Sequence, residues 1–183
     1  MKKKPIWIVV TGLDGSGKTS LVENLTKWFS EEKKLSVYRD RFPHDRYLVK
    51  DLLNKSKDKY TDRLLFALDN RLCFSYSWIA ELNQIDTLPK CDIMIHMVCE
   101  PSVSYARIRN DPDADKFEYP AYIDKQARET SKAFAEVNSG NNPDLAHFNN
   151  CINYYVDTTQ MSIDEVYKWA LQKLEGSGLL DKN

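Results

Sequence analysis

Gly12-Leu13-Asp14-Gly15-Ser16-Gly17-Lys18-Thr19 is the stretch that decides how this chain is read. A phosphate presents several acceptor oxygens and negative charge, so its site needs many donors and little side-chain bulk. Glycines at 12, 15 and 17 let backbone N–H groups turn inward. A helix beginning at Lys18 would add its unsatisfied N-terminal donors and the positive end of its dipole. In a loop of this kind the lysine reaches the outer phosphates and the next hydroxyl ligates Mg²⁺. The expected cradle is therefore Gly12, Asp14, Gly15, Ser16, Gly17, Lys18, Thr19 and Ser20, with Thr19 as the metal ligand. The alternative is a structural glycine turn, and the flanking segments weigh against it.

Before the loop, residues 6–11 form a continuous apolar, β-branched run, as in a strand buried on both faces of a parallel sheet. After it, Leu21, Leu25, Trp28 and Phe29 recur at helical spacing from Lys18 to about Lys33. Further along, residues 35–39 read as a second strand, 92–98 as a third and 152–156 as a last one. Helical patterns occupy 47–54, 61–71 and 101–109. Pro120 suits a helix start, followed by a stripe of Ile123, Ala127, Thr130, Phe134 and Val137. Ser162 and Glu165 form a capping box that opens a helix with Ile163, Val166, Tyr167, Ala170, Leu171 and Leu174 inward. Alternating strands and helices imply a three-layer α/β fold, a mostly parallel sheet flanked by helices, in one domain over 1–183.

Composition narrows the partners. With 26 Lys plus Arg against 27 Asp plus Glu, the formal charge is -1, so no global field draws the chain to nucleic acid or to an anionic membrane. Cys73, Cys91, Cys99 and Cys151 show no paired spacing, which suits reduced thiols in a cytoplasm. The lysine-led start imitates a signal peptide, but its apolar run is short and leads straight into the glycine loop.

The loop alone does not separate a kinase from a GTPase or a motor ATPase. No Asn-Lys-x-Asp segment follows 92–98 or 152–156, and Cys99-Glu100-Pro101 is a poor end for an ATPase metal-binding strand. In order, the chain has the glycine loop, Arg41-Phe42-Pro43, Leu64-Leu65-Phe66 through Arg71, Arg107-Ile108-Arg109 before Asp115-Lys116-Phe117-Glu118, and Val156-Asp157-Thr158-Thr159. This order resembles the thymidylate kinase family of P-loop nucleoside monophosphate kinases. The resemblance implies transfer of the ATP γ-phosphoryl to dTMP, giving dTDP, with Mg²⁺, in a cytoplasmic homodimer. Lys18, Arg107 and Arg109 would be catalytic, the two arginines belonging to a short lid near 107–118. Asp14, Arg41, Phe42, Phe66 and Arg71 would hold the acceptor, with Arg46 a second candidate for its phosphate.

Each role has a plainer alternative. Asp14 could serve as a loop-stabilising hydrogen-bond partner, Arg41 and Arg46 as surface ion pairs, Phe66 as core, and the lid arginines as solvated helix charges. Phe66 and Arg71 stand five positions apart, one more than the family's usual four. Between Arg71 and Trp78 the family has a central strand ending in an Asp-Arg pair, so roughly 30 residues are expected to be missing there. A stretch left out of this sequence, a natural deletion or a short replacement strand at 72–78 would each account for it. The other functional readings are a deoxynucleoside kinase and a nucleotide-binding protein without turnover.

Overall fold

The computed structural model of the chain describes residues 6–39, 91–110, 119–139 and 151–180. Contacts gather Met1–Val37 and Pro89–Asn183 into one compact unit, distinct from Tyr38–Leu88. Every secondary-structure element described lies in the first unit. Three strands, β1 (Ile8–Gly12), β2 (Ile93–Val98) and β3 (Ile152–Asp157), pair in the order β1-β2-β3. Both pairings are parallel, with Val10 opposite Ile95 and Ile95 opposite Tyr154. Four α-helices accompany them: α1 (Lys18–Lys27), α2 (Pro101–Ile108), α3 (Pro120–Ser139) and α4 (Ile163–Gly176). The β2 to β3 crossover runs through α2 and α3, since parallel neighbours cannot be joined by a tight turn.

The central strand β2 is buried along almost its whole length, which is why it reads as an unbroken apolar run. Its side chains alternate between two faces. Ile93, Ile95 and Met97 join Leu21, Leu25 and Trp28 with Val166, Ala170 and Leu174 in one core beneath α1 and α4. Met94 belongs to a separate cluster with Cys91, Cys151 and Val9. His96 stacks on Phe134 of α3, ring centroids 4.5 Å apart. Helices thus cover both faces of the sheet, the three-layer α/β arrangement expected from the sequence.

Helix α1 follows the glycine loop directly, and its last turn widens into a π-helical segment, Trp28–Glu32. Lys33 N–H closes that turn on Trp28 O at 3.0 Å. Helix α4 opens with the expected capping box. Glu165 N–H donates to Ser162 Oγ at 3.3 Å, and the Glu165 carboxylate accepts from Ser162 N–H at 2.7 Å. Those bonds also hold the Glu165 carboxyl below its ordinary range.

Two local expectations are corrected. Residues 35–39 form no strand. Lys34 turns the chain in a left-handed conformation (φ 55), after which Leu35, Val37 and Tyr38 are exposed. β-propensity alone does not make a strand without a neighbour to complete the ladder. Ile163, expected inward, is 58% exposed, because the α4 stripe is buried only from Val166 onward. The helices expected at 47–54 and 61–71, the side chain of Val137 and the 72–77 segment lie outside the described residues.

Candidate active site

The glycine loop joins β1 to α1 above the C-terminal end of the sheet, where open α/β sheets bind ligands. Gly12, Gly15 and Gly17 all take positive φ, at 133°, 72° and 94°. Two of them also need their missing side chain. A Cβ at Gly12 would collide with the Met97 backbone, and one at Gly15 would lie 2.7 Å from Ser104 O. The loop is thus pressed onto β2 on one side and α2 on the other. Leu13 N–H donates to Met97 O at 3.1 Å, and the buried Ser104 hydroxyl donates to Asp14 O at 2.5 Å.

Lys18 folds back over this loop. Its Nζ donates to Gly12 O at 3.0 Å, Leu13 O at 2.8 Å and the Asp14 carboxylate at 3.1 Å. An ammonium held in the mouth of the cradle stands where phosphate charge would be met. Asp14 has a second partner that sequence reading did not find: Gln126 Nε2 of α3 donates to the other carboxylate oxygen at 3.1 Å. Asp14 N–H in turn donates to Gln126 Oε1 at 3.5 Å.

Arg107, on the last turn of α2, ties two loops together. It donates to Gly15 O at 3.2 Å, to Thr158 O at 2.9 Å and to the Thr158 hydroxyl at 3.4 Å. Buried Thr158 lies between them, its Oγ1 within 3.0 Å of both Ser16 O and Val98 O. Its backbone N–H reaches Val98 O at 2.8 Å. The loop after β3 thus lies against the glycine loop. Asp157 caps it by accepting from Thr159 N–H at 2.9 Å.

The fit to a nucleotide polyphosphate rests on the loop itself. The Ser16 hydroxyl is buried in it with no hydrogen-bond partner, and a buried polar group of that kind calls for one. Thr19 is exposed at the start of α1, so its oxygen is open to a phosphate-bound cation. Among the described residues no group of three His, Cys, Asp or Glu side chains could hold a metal alone.

Beside the cradle, a cavity of about 510 Å³ opens between the ends of β2 and β3 and helix α3. Leu13, Glu100, Arg128, Ser131, Tyr155 and Asp157 are among its lining residues. Near it, burial holds the Cys99 thiol above its ordinary range. Cys151, at the opposite end of the sheet, is pushed up to about 12 by burial and by a hydrogen bond with Cys91. Cys91, Cys99 and Cys151 are all free and buried, and Cys73 lies outside the described residues.

The structure therefore brings Gly12, Asp14, Gly15, Ser16, Gly17, Lys18 and Arg107 together, with Thr19 and Ser20 on the first turn of α1. Arg109 caps the C-terminal end of α2. Arg41, Phe42, Arg46, Phe66 and Arg71 lie outside the described residues, as does 111–118 of the expected lid.

No family model matches the chain. A probable thymidylate kinase of Pyrobaculum aerophilum is 28% identical over an alignment covering 75% of this chain and 90% of that protein. A probable thymidylate kinase of Metallosphaera sedula is 26% identical over 70% of this chain and 78% of its own length. A uridine kinase of Listeria monocytogenes is 34% identical, but over 49% of this chain and 41% of that enzyme. The Pyrobaculum alignment extends over 179 positions, while 75% of this chain is about 137 residues, so about 42 positions have no counterpart here. These relatives bear out the resemblance to thymidylate kinases, and the chain is a P-loop kinase, a phosphotransferase.

Proposed function

We propose that this phosphotransferase moves the γ-phosphoryl of ATP to the 5′ phosphate of a pyrimidine deoxynucleoside monophosphate, dTMP in first place. The single observation that carries the reading is the cradle of Gly12 to Thr19 with Lys18 Nζ held in its mouth. Phosphoryl transfer of this kind asks for positioning and charge neutralisation more than for covalent chemistry. Backbone donors of the loop would hold the β and γ oxygens, and Lys18 would leave its loop carbonyls to meet their charge. Arg107 is hydrogen-bonded to Gly15 of the same loop. It would keep Gly15 and the Thr158 loop aligned while α2 presents Arg109. Mg²⁺ on the Thr19 hydroxyl would neutralise the phosphate oxygens as the bond to the leaving group weakens. Asp14, Arg41, Phe42, Phe66 and Arg71 are proposed as the acceptor pocket. The homodimer and the cytoplasmic location belong to the same reading.

Acceptor choice is the part most open to test. An aromatic face and an arginine suit a thymine ring, whereas a purine amino group would face a donor. That mismatch leaves a buried polar group unsatisfied, at about 1–3 kcal/mol. A second reading, phosphorylation of a nucleoside hydroxyl, is favoured by the relatives named uridine kinase. The experiment is kcat/KM for dTMP, dUMP, dCMP, dGMP, AMP and uridine with Mg·ATP as donor. The proposal expects dTMP to lead and AMP to trail. A purine monophosphate preferred tenfold, or uridine used in place of every monophosphate, would refute the acceptor assignment.

A further inference from the structure

Asp14 is the anomaly of the cradle, because a carboxylate beside a phosphate site repels the ligand that the site must hold. Both its oxygens are nevertheless engaged, one by Lys18 Nζ at 3.1 Å and the other by Gln126 Nε2 at 3.1 Å. The same amide accepts the Asp14 backbone N–H at 3.5 Å. Gln126 is therefore matched to this residue as both donor and acceptor. A neutral amide can do this; a carboxylate would repel Asp14, and an ammonium would compete with Lys18.

Its placement is not left to a flexible side chain alone. Ile123, one turn before it on α3, and Ala127, next to it, pack with Leu13 of the loop in one apolar cluster, and Ile123 is buried to 1% exposure. Asp14 O is held independently by Ser104 of α2. Two helices thus fix the backbone around Asp14, and among the described contacts Gln126 is the partner of its carboxylate besides Lys18.

We infer that Gln126 is a positioning residue for nucleotide binding: it retains the Asp14 carboxylate when Lys18 leaves to meet phosphate. With Gln126 in place, the charge of Asp14 stays turned toward α3 and its orientation is satisfied in both states of the lysine. Without it, Asp14 either keeps Lys18 in the resting contact or turns toward the phosphates, and both weaken binding. This rests on the proposed use of the loop for ATP, and goes beyond it by giving α3 a part in binding.

The test is calorimetric binding of Mg·ATP to the full chain between pH 5 and pH 8. Four proteins are compared: wild type, Gln126→Glu, Gln126→Met and Asp14→Asn/Gln126→Glu. Two carboxyls in hydrogen-bond contact share a proton at low pH and repel each other once it is lost. Relative to wild type at the same pH, Gln126→Glu should bind within about threefold at pH 5 and at least about tenfold more weakly at pH 8. Gln126→Met, which cannot bond at any pH, should be weak throughout. In the Asp14→Asn background the pH-dependent loss should disappear. A merely structural role for Gln126 would move stability but not this ratio. The inference is overturned if Gln126→Glu tracks wild type at every pH, or if its loss persists with Asp14 replaced. Wild type that binds Mg·ATP but phosphorylates no monophosphate would refute the proposed function and leave this inference standing. Wild type that binds no Mg·ATP would overturn both.

Discussion

The α1–α4 face of the sheet and the C-terminal ends of its strands are built in contrasting ways from the same three strands. On the face, Ile93, Ile95 and Met97 meet Leu21, Leu25, Val166, Ala170 and Leu174 through apolar contact. At the strand ends, Leu13, Asp14, Gly15, Ser16, Thr158 and Arg107 are joined by hydrogen bonds between groups far apart in sequence. Apolar packing is non-directional, so the face tolerates changes that keep its volume. A polar network instead depends on individual atoms, and a member left unpaired in a buried place is costly. The face supplies stability, while the strand ends supply geometry.

Substitutions that separate those two contributions give the sharpest predictions. The largest effect is expected at Lys18. Lys18→Ala removes the charge proposed to meet the phosphates and should lower transfer about a thousandfold or more in a coupled kinase assay. Its thermal midpoint should stay near that of wild type, because Lys18 contributes no apolar packing to the core. Leu174→Ala should do the reverse. It empties a fully buried position and should cost about 2–5 kcal/mol in urea unfolding, with KM for ATP unchanged. If instead Leu174→Ala altered KM and spared stability, the division between face and strand ends would be wrong.

Arg107→Met probes the strand ends more gently. Losing charged hydrogen bonds to the Gly15 and Thr158 carbonyls should reduce kcat/KM by about tenfold to a hundredfold and cost about 1–3 kcal/mol in unfolding. The smallest effect is expected from pH. His96 is 2% exposed, its Nε2 has no partner, and burial, aided by the nearby Lys18 charge, holds its pKa below 6.5. The unfolded chain therefore takes up a proton that the folded chain resists. Stability should be level above about pH 6.5 and fall as pH drops through that value toward the folded pKa. Urea titrations of wild type and His96→Phe between pH 5 and pH 8 would check this. The variant should lack that part of the acid slope.

The contrast also explains what could be read from sequence. Periodicity revealed the apolar face: the runs at 6–11, 92–98 and 152–156 became β1, β2 and β3, and the Ser162 capping box opened α4. It misled at 35–39, where the residues suit a strand but pair with no strand among the described residues, and at Ile163, which lies on the right stripe beyond its buried part. The glycine loop was legible because its donors are contiguous in the chain. Ser104 and Gln126 were not, since they reach Asp14 from 90 and 112 residues away and carry no local signature. Nor could the sequence tell that Arg107 would bond to loop carbonyls, because a helix arginine reads equally well as a solvated charge.

The most direct test of the central claim is a single-turnover reaction of the full chain with [γ-³²P]ATP, Mg²⁺ and dTMP, resolving the labelled products. The account predicts that label passes to dTDP in wild type and stays on ATP in Lys18→Ala. Label released only as inorganic phosphate, or transferred equally well by Lys18→Ala, would contradict it.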